Sequence, residues 1–321
     1  MDSVFIAQTP LQLINLYEAS KHYKVNGQYI LFYDNLDNYA RMKELVKVLE
    51  VEQFIFFKID FKFRMFFPLI LSRIIKKLKP TCRQGFYGTY ASWSAWIINS
   101  LAIETAVLVD DGHKTVNLIK VPEITGVFKK SRFKKLSKAF VQNSNFFTFY
   151  ADFAKKNGFQ SEQNSLKYVQ KVFSRHQFDS AISIDQYSCF FISTNILARY
   201  KSIELYIEKV ANSSERMLYI MHRYDDEELV SEWAQKYQFD CVKFEYPIEL
   251  YFSLLSESQR VMSFGSTAID TLSMMKPEVD ITLYRLPLDG FDSDSLKVGF
   301  TNVWKYSCEN SKVKCIDLHL D

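Results

Sequence analysis

Short runs of apolar residues alternate with stretches of helical periodicity along almost the whole chain. The first run, residues 4–7, has the length of a buried strand. After Pro10, apolar side chains recur at Leu11, Ile14 and Tyr17, the spacing of one face of a helix. Strands that alternate with helices in this way favour parallel sheets covered by helices, so the pattern predicts an α/β protein.

The same pattern recurs twice, on either side of a polar stretch between residues 155 and 180. Strands are predicted at residues 4–7, 28–32, 53–59 and 106–109, and then at 189–193, 217–221, 241–244, 260–264 and 279–283. Helices are predicted from residue 10, at 38–49, over the basic run 62–83, near 91–101, and then at 203–210, 225–237, 247–255 and 267–275. We therefore expect two Rossmann-like domains, 1–178 and 179–321, whose parallel sheets face each other across a ligand cleft.

The charge of the chain changes this picture locally. Forty basic and thirty-seven acidic residues give the 321-residue chain a net charge of +3, too close to balance to indicate a nucleic-acid partner. Residues 62–83 nevertheless contain seven basic residues and no acid, and residues 120–138 contain seven with Glu123 as the single acid. The first run is either a helix on a membrane surface or an ordinary helix with a solvated basic face.

Other features limit location and cofactors. No apolar stretch is long enough to span a membrane, and the first residues lack the basic start of a signal peptide, so we expect a cytoplasmic protein. The five cysteines are scattered without a C-x-x-C pair and are expected to be free buried thiols. Neither H-x-x-x-H spacing nor a P-loop or G-x-G-x-x-G fingerprint occurs, so no metal and no dinucleotide cofactor is predicted.

Two polar clusters follow predicted strands of the first half. Asp110, Asp111 and Gly112 come directly after an apolar strand. Two carboxylates there can bind a metal, take a proton from a substrate hydroxyl, or solvate a tight turn. Thr9 and Gln12 follow the first strand and form either a capped helix start or a ligand loop.

Three clusters follow in the second half. His222 and Arg223 can bind a phosphate, or His222 can cap the next helix or join a surface ion pair. Gly265, Ser266 and Thr267 can form an anion site from hydroxyls and backbone N–H groups at a helix start, or a simple N-cap. Glu249 can accept from ribose hydroxyls, or it is a charge in the first turn of a helix.

In this order, the clusters resemble the motifs of the GT-B bacterial sialyltransferases: a D/E-D/E-G motif, a His-Pro motif and a Ser-Ser/Thr motif. Residues 9–12, Thr-Pro-Leu-Gln, and residues 264–268, Phe-Gly-Ser-Thr-Ala, are most similar to glycosyltransferase family 52 and the related polysialyltransferases. The likeness spans nearly the whole chain in short motifs. One departure is Arg223, which stands where the family has proline.

The resemblance implies roles for these residues. In the first domain, which would bind the acceptor, Asp111 would be the catalytic base, with Asp110 shaping its loop and Gly112 allowing the turn. Thr9 and Gln12 would line the same cleft.

In the second domain, which would bind the donor, His222 would bind the CMP phosphate or protonate it as it leaves. Ser266 and Thr267, after Gly265, would hold phosphate oxygens. Glu249 would bind the cytidine ribose, and Arg223 would lie beside the donor.

The implied activity is an inverting, metal-independent transfer of sialic acid, or a related nonulosonic acid, from a CMP-sugar to a hydroxyl of a bacterial surface glycan, in lipooligosaccharide or capsule. No cofactor is expected. The acceptor can be lipid-linked, and the basic helices would hold the enzyme on the inner face of the cytoplasmic membrane. The alternatives are a GT-B glycosyltransferase that uses a UDP- or GDP-sugar, and a non-catalytic, membrane-associated protein of polysaccharide assembly.

Overall fold

The computed structural model describes residues 3–59, 67–78, 82–90, 94, 97–98, 100–101, 103–120, 143–175, 184–309 and 312–320. The chain divides into two compact units, Met1–Gln177 and Phe178–Asp321, and the predicted boundary lies after residue 178. The predicted helix near residues 91–101 and the basic run 120–138 fall largely outside the described residues. Each unit is built on one sheet.

The first unit holds a parallel sheet. Its strands are β1 (Ser3–Ala7), β2 (Gly27–Tyr33), β3 (Phe54–Lys58), β4 (Gln84–Tyr87), β5 (Thr105–Val109), β6 (Asn145–Thr148) and β7 (Ser161–Gln163). Its helices are α1 (Pro10–His22), α2 (Leu36–Val48), α3 (Phe67–Lys77), α4 (His113–Lys120), α5 (Ala151–Lys156) and α6 (Lys167–Phe173). The strand order is β3-β2-β1-β4-β5-β6-β7, so the chain reverses its direction of winding between β1 and β4.

The second unit repeats this plan. Its strands are β8 (Cys189–Ile192), β9 (Met217–Ile220), β10 (Asp240–Val242), β11 (Arg260–Ser263), β12 (Asp280–Arg285) and β13 (Val313–Asp317). Its helices are α7 (Ile203–Asn212), α8 (Glu227–Tyr237), α9 (Thr267–Met275) and α10 (Asp294–Glu309). The order β10-β9-β8-β11-β12-β13 places the reversal between β8 and β11.

Burial explains why the central strands read as unbroken apolar runs. Every residue of β1, β8 and β9 is buried, because helices cover both faces of a parallel sheet. β7 has the polar sequence Ser-Glu-Gln and lies at the edge of its sheet, where it is mostly exposed. Apolar patterning therefore predicts the fully buried strands β1, β8 and β9. It misses β4, in the middle of the first sheet, and also β6, β7 and β13.

The helix predicted over residues 247–255 is wrong. The stretch forms two 3₁₀ turns, Ile248–Leu250 and Phe252–Leu254. Three consecutive residues, Leu250, Tyr251 and Phe252, are all buried. This irregular segment therefore contributes to the core of the second unit without forming an α-helix.

The expectation that all the cysteines are free is also wrong. Cys308 in the last turn of α10 and Cys315 in β13 form a disulfide, with their Cα atoms 5.7 Å apart. The two cysteines are seven positions apart in the sequence, which is not the C-x-x-C spacing of a recognisable pair. Cys82, Cys189 and Cys241 are free.

The described part of the first basic run, α3, faces its own unit. Leu71 and Ile74 are buried, while Leu69, Arg73 and Lys76 are exposed. This is the arrangement of a helix with one core face and a solvated basic face. Across the described ranges, no helix has the length and apolar character needed to cross a bilayer.

Candidate functional site

The candidate residues of each unit lie at the carboxyl edge of its sheet, where open α/β sheets bind ligands. In the first unit, Tyr87 of β4 pairs with Ile6 of β1 and with Leu108 of β5. Thr89 and Asp110 lie two residues after Tyr87 and Leu108, so they lie level with each other at the carboxyl edge of the sheet. The reversal between β1 and β4 therefore lies one strand from the Asp110 loop.

The carboxyl group of Asp110 is completely buried. Thr148 Oγ1 donates to its Oδ1, and the Phe149 backbone N–H donates to its Oδ2 at 2.8 Å. Asn15 Nδ2 donates to the Asp110 carbonyl oxygen at 3.1 Å, and Asn164 Nδ2 donates to Asn15 Oδ1 at 2.9 Å. Burial raises the pKa of Asp110 to about 7, although the hydrogen bonds from Thr148 and Phe149 act in the opposite direction. Asp110 thus anchors the loop to β6.

The next carboxylate, Asp111, is held at the surface. Its side chain is 10% exposed, and Oδ2 accepts from Lys114 Nζ at 2.9 Å. Its backbone N–H donates to Thr115 Oγ1 at 3.0 Å. Gly112 has a φ of +64°, the left-handed conformation that glycine adopts without strain. The loop therefore presents one carboxylate whose Oδ1 has no partner among the described residues.

Thr9 and Gln12 close the start of α1. Thr9 is the N-cap, and its side chain accepts from the Gln12 N–H at 3.4 Å. Gln12 is buried, and its Oε1 accepts from the Gln8 N–H at 2.7 Å and from Thr89 Oγ1 at 2.8 Å. A Cβ on Gly88 would lie 2.7 Å from Gln12 Cβ, so a glycine is needed there. These contacts match the capped helix start; a role in ligand binding stays a prediction.

In the second unit, β8 separates the two main clusters. Ile192 pairs with Ile220 of β9, and Phe191 pairs with Met262 of β11. His222 lies two residues after Ile220, and Gly265 lies three residues after Met262. If the strand register is continued, both residues lie level with Thr194, on either side of β8, at the carboxyl edge of the sheet. Two strand spacings separate them, about 10 Å. The topology thus brings these two predicted site residues together.

His222 offers a hydrogen-bond donor. Its ring is half-buried, and Nδ1 accepts from the Tyr224 N–H at 3.3 Å, so the neutral ring carries its proton on Nε2. Nε2 has no acceptor within the described residues. Burial, together with the charges of Arg223 and Lys243, lowers the pKa of His222 to about 4. At pH 7 His222 is therefore a neutral ring with one free N–H.

A buried network fixes the backbone of His222. Asp225 donates from its N–H to the His222 carbonyl at 2.9 Å, and its Oδ2 accepts from the His222 N–H at 2.8 Å. Tyr219 OH donates to Ser193 Oγ at 2.9 Å and lies 3.4 Å from Asp225 Oδ2. Burial raises the pKa of Asp225 to about 6. Sequence reasoning missed this network, because Tyr219 and Ser193 read as ordinary strand residues.

Two alternatives for this loop can be compared with the structure. The N-cap of α8 is Asp226, which accepts from the N–H groups of Glu228 and Leu229, so His222 does not cap that helix. Arg223 is exposed, and its guanidinium lies 4.7 Å from the Tyr224 ring centre. No acidic side chain pairs with Arg223 in the part of the chain that the structure describes.

The loop before α9 satisfies most of its own N–H groups. Ser263 Oγ accepts from Gly265 N–H at 3.2 Å and from Ser266 N–H at 2.9 Å. Ser266 is the N-cap of α9 and accepts from the Ala268 N–H at 3.3 Å. This corrects the expectation that free backbone N–H groups converge here. A hydroxyl that accepts still has its proton, so Ser266 can donate to an anion.

α10 supports this loop. Trp304 Nε1 donates to the Phe264 carbonyl at 2.8 Å. Gly265 has a φ of +140°, and a Cβ there would lie 3.1 Å from Phe300. The loop shape therefore requires glycine and depends on the packing of α10.

Glu249 lies in a 3₁₀ turn that packs against α9, not in the first turn of an α-helix. Its side chain is buried, and among the described residues its own backbone N–H is its one donor. Burial raises the pKa of Glu249 to about 7. A buried carboxyl with unused acceptor capacity can take hydrogen bonds from ligand hydroxyls.

The described residues contain no group of three or more His, Cys, Asp or Glu side chains that could hold a metal ion. Open grooves also lie at the amino edge of the second sheet, around Tyr187 and Arg216. None of the predicted donor-site residues, all of which the structure describes, lines these grooves.

Neither a protein-family model nor a curated protein sequence matches the chain. Solved structures do resemble it over nearly its whole length. One from Listeria monocytogenes, described as a UDP-N-acetylglucosamine 2-epimerase, has a TM-score of 0.62 at 12% identity and covers 98% of this chain and 84% of that chain. The UDP-GlcNAc 2-epimerase of Neisseria meningitidis, bound to UDP-GlcNAc, has a TM-score of 0.58 at 12% identity and covers 98% and 87%.

A third similar structure is Os79 from O. sativa, a variant in complex with UDP, with a TM-score of 0.51 at 11% identity and coverage of 99% and 87%. At such identities the likeness shows the fold alone. The predicted fold class is confirmed: the chain has the GT-B fold, with two parallel α/β sheets. The prediction of a ligand cleft between the domains stays a prediction.

Proposed function

We propose that the protein is an inverting, metal-independent glycosyltransferase. It would move sialic acid, or a related nonulosonic acid, from a CMP-sugar to a hydroxyl of a bacterial surface glycan such as lipooligosaccharide or capsule. The observation that carries the proposal is the common height of His222 and the Gly265 loop at one edge of the second sheet. A phosphate group with one hydrogen bond on each side spans a distance similar to the separation of these loops.

The donor side of the reaction needs stabilisation of negative charge. A nonulosonic acid leaves CMP through an oxocarbenium-like transition state while charge grows on the phosphate. His222 would donate from Nε2 and Ser266 from its hydroxyl, with Thr267 at the adjacent helix start. Glu249 would accept from the ribose hydroxyls. The hydrogen bonds from His222 and Ser266 would stabilise the negative charge on the phosphate without a metal.

The acceptor side needs a base. Asp111 is the carboxylate that the first unit leaves accessible, with Oδ1 unpaired in the described residues. It would take the proton of the attacking hydroxyl as the bond to the sugar forms. Attack from the face opposite to the leaving CMP inverts the anomeric centre.

A donor panel tests this function. Calorimetric titration of the purified protein with CMP, UDP and GDP should show binding of CMP at least about tenfold tighter than of the others. CMP-N-acetylneuraminic acid should be consumed with a suitable glycan acceptor in the presence of EDTA, and NMR of the product should show the inverted anomer. Tighter binding of UDP or GDP would overturn the CMP assignment.

The structural neighbours favour one second candidate. Two of the similar structures hold UDP or UDP-GlcNAc, and their fold matches this chain. A transferase that uses a UDP-sugar would employ the same edge of the second sheet. In the titration above, it would show UDP binding and no consumption of the CMP-sugar.

We further propose that the enzyme is cytoplasmic and binds the inner membrane surface through α3. Arg73, Lys76 and Lys77 form its exposed basic side, and Leu69 lies exposed near its start. Anionic headgroups attract such a surface by about 1 kcal/mol per basic residue. Sedimentation with phosphatidylglycerol vesicles should fall when these three residues become glutamate, and stay unchanged with neutral vesicles.

A further inference from the structure

We propose that the β8 loop, residues 193–195, is a third wall of the phosphate site, with Thr194 and Asn195 as phosphate-binding residues. The inference rests on the proposed function for the presence of a nucleotide. It goes beyond that function, because the motifs that indicate the donor site do not include this loop.

The position of β8 carries the first step. β8 lies between β9 and β11, and the winding of the second sheet reverses beside it. In the register already described, Thr194 lies at the height of His222 on one side and of Gly265 on the other. A ligand that touches both neighbours therefore passes over the β8 loop, about 4.8 Å from each flanking strand.

The hydrogen-bonding state of the loop carries the second step. Thr194 and Asn195 are half-buried. Neither their side chains nor their backbone N–H groups have a hydrogen-bond partner among the residues that the structure describes. Half-buried donors without protein partners are open to water in the free protein and can donate to a ligand that displaces that water. The loop thus offers a hydroxyl, an amide and two N–H groups from two residues, Thr194 and Asn195.

The neighbouring loop makes these donors more important. The N–H groups of Gly265, Ser266 and Ala268 are already bonded within the α9 loop. A phosphate at this edge therefore needs donors besides these three backbone N–H groups. The β8 loop supplies them from an adjacent strand.

A buried link couples the β8 loop to His222. Ser193 Oγ accepts from Tyr219 OH, and Asp225 holds the His222 N–H. Tyr219 is completely buried and Ser193 is 3% exposed, so both are fixed by packing. The two loops are therefore held in one arrangement before any ligand binds.

The charges of the edge favour an anion as the ligand. Arg223 is exposed without an acidic partner in the described chain. Lys243, which acts with Arg223 on the His222 ring, is paired with Glu227 at 2.5 Å. Asp225, the nearby acid, is buried and turned toward the His222 backbone. Neutral donors beside a guanidinium that has no acidic partner in the described chain can bind a phosphate group.

The test compares isosteric variants by calorimetry with CMP, UDP and inorganic phosphate. Thr194→Val removes the hydroxyl and should weaken binding of the preferred nucleotide about tenfold, whereas Thr194→Ser keeps it. Asn195→Asp places a carboxylate beside the phosphate and should weaken binding by at least about tenfold. Matched controls are Thr301→Val and Asn212→Asp, both exposed on helices, which should bind as the wild type does.

The outcomes separate this inference from the proposed donor. Weaker CMP binding by both loop variants, at an unchanged thermal midpoint, supports both. If the wild type prefers UDP and the same variants lose UDP, the donor assignment fails and the phosphate wall stands. Unchanged binding in folded Thr194→Val and Asn195→Asp overturns the phosphate wall, as does a wild type that binds no nucleotide.

Discussion

The carboxyl edges of the two sheets use similar polar residues in opposite ways. In the first unit, Asn15, Asp110 and Gln12 are buried, and each has hydrogen-bond partners within the unit. Asp111 alone of the predicted pair reaches solvent. In the second unit, His222 and Thr194 are half-buried and keep donors without partners among the described residues. In the first unit, a network with its hydrogen bonds satisfied holds Asp111 in place. In the second unit, donors without protein partners can bind a ligand.

The largest expected effect comes from Asp111, the carboxylate of the first unit that reaches solvent. Asp111→Asn keeps the size of the side chain and removes the base, so transfer should fall by about 10²- to 10⁴-fold. CMP affinity should not change, because the nucleotide would bind the second unit. Steady-state transfer and calorimetry together measure the two effects.

Lys114→Ala is the matched control. It removes the ion-pair partner of Asp111 at 2.9 Å and leaves the carboxylate in place. An exposed pair of this kind contributes about 1 kcal/mol or less, so transfer should change a few-fold at most. Normal transfer by Asp111→Asn would remove Asp111 from the mechanism and with it the first half of the comparison.

The second largest effect should come from His222→Gln. The amide can occupy the place of the ring but does not become a cation, so donor affinity at about pH 5, where bound phosphate would protonate the ring, should fall about 10- to 100-fold. Bound phosphate favours the protonated ring, and the pKa of free His222 is about 4. Wild-type affinity for a non-hydrolysable CMP-sugar should therefore rise as the pH falls from about 6.5 towards 4. A wild-type profile as flat as that of His222→Gln would contradict the phosphate contact.

The sequence predicted these two residues because each follows an unbroken apolar strand. Asp111 comes after β5 and His222 after β9, and polar residues at those points are easy to see beside buried runs. Thr194 also follows such a strand, yet Ser-Thr-Asn reads as an ordinary turn. Its significance depends on β8 lying between β9 and β11, and strand order is not encoded in local pattern.

The supporting residues were missed for a related reason. Asn15 is on α1 and Asn164 follows β7, 149 positions apart, and they meet through a side-chain hydrogen bond. Trp304 reaches the Phe264 carbonyl from α10, a helix that the periodicity did not predict. Contacts between distant segments form only once the sheet is assembled. A single sequence therefore indicates the candidate reactive residues but not the residues that hold their loops in place.

Breaking the buried network of the first unit should act on stability. Asn15→Ala leaves the Asp110 carbonyl and Asn164 Nδ2 without their shared partner, at a cost of about 1–3 kcal/mol in the free energy of unfolding. By contrast, Arg223→Ala on the second edge should change it by less than about 0.5 kcal/mol, since this side chain is exposed. Urea unfolding measures both. Equal losses of unfolding free energy in the two variants would show that polar side chains stabilise the two carboxyl edges to the same extent.

The smallest expected effect is a pH dependence carried by Asp110. Its folded pKa is about 7, above the ordinary value of 3.8, so the folded state keeps a proton that the unfolded state loses. Stability from this group is therefore complete below about pH 4 and falls as the pH rises towards about 7. Between pH 7 and pH 8 the remaining loss of unfolding free energy is on the order of a few tenths of a kcal/mol.

A variant that cannot titrate at position 110 tests this pH dependence. Asp110→Asn cannot ionise, so its unfolding free energy should change less than that of the wild type from pH 7 to pH 8. Glu249 and Asp225, whose pKa values burial also raises, titrate in both proteins and cancel in the difference. Identical pH profiles would show that the Thr148 and Phe149 hydrogen bonds keep Asp110 ionised in the folded state.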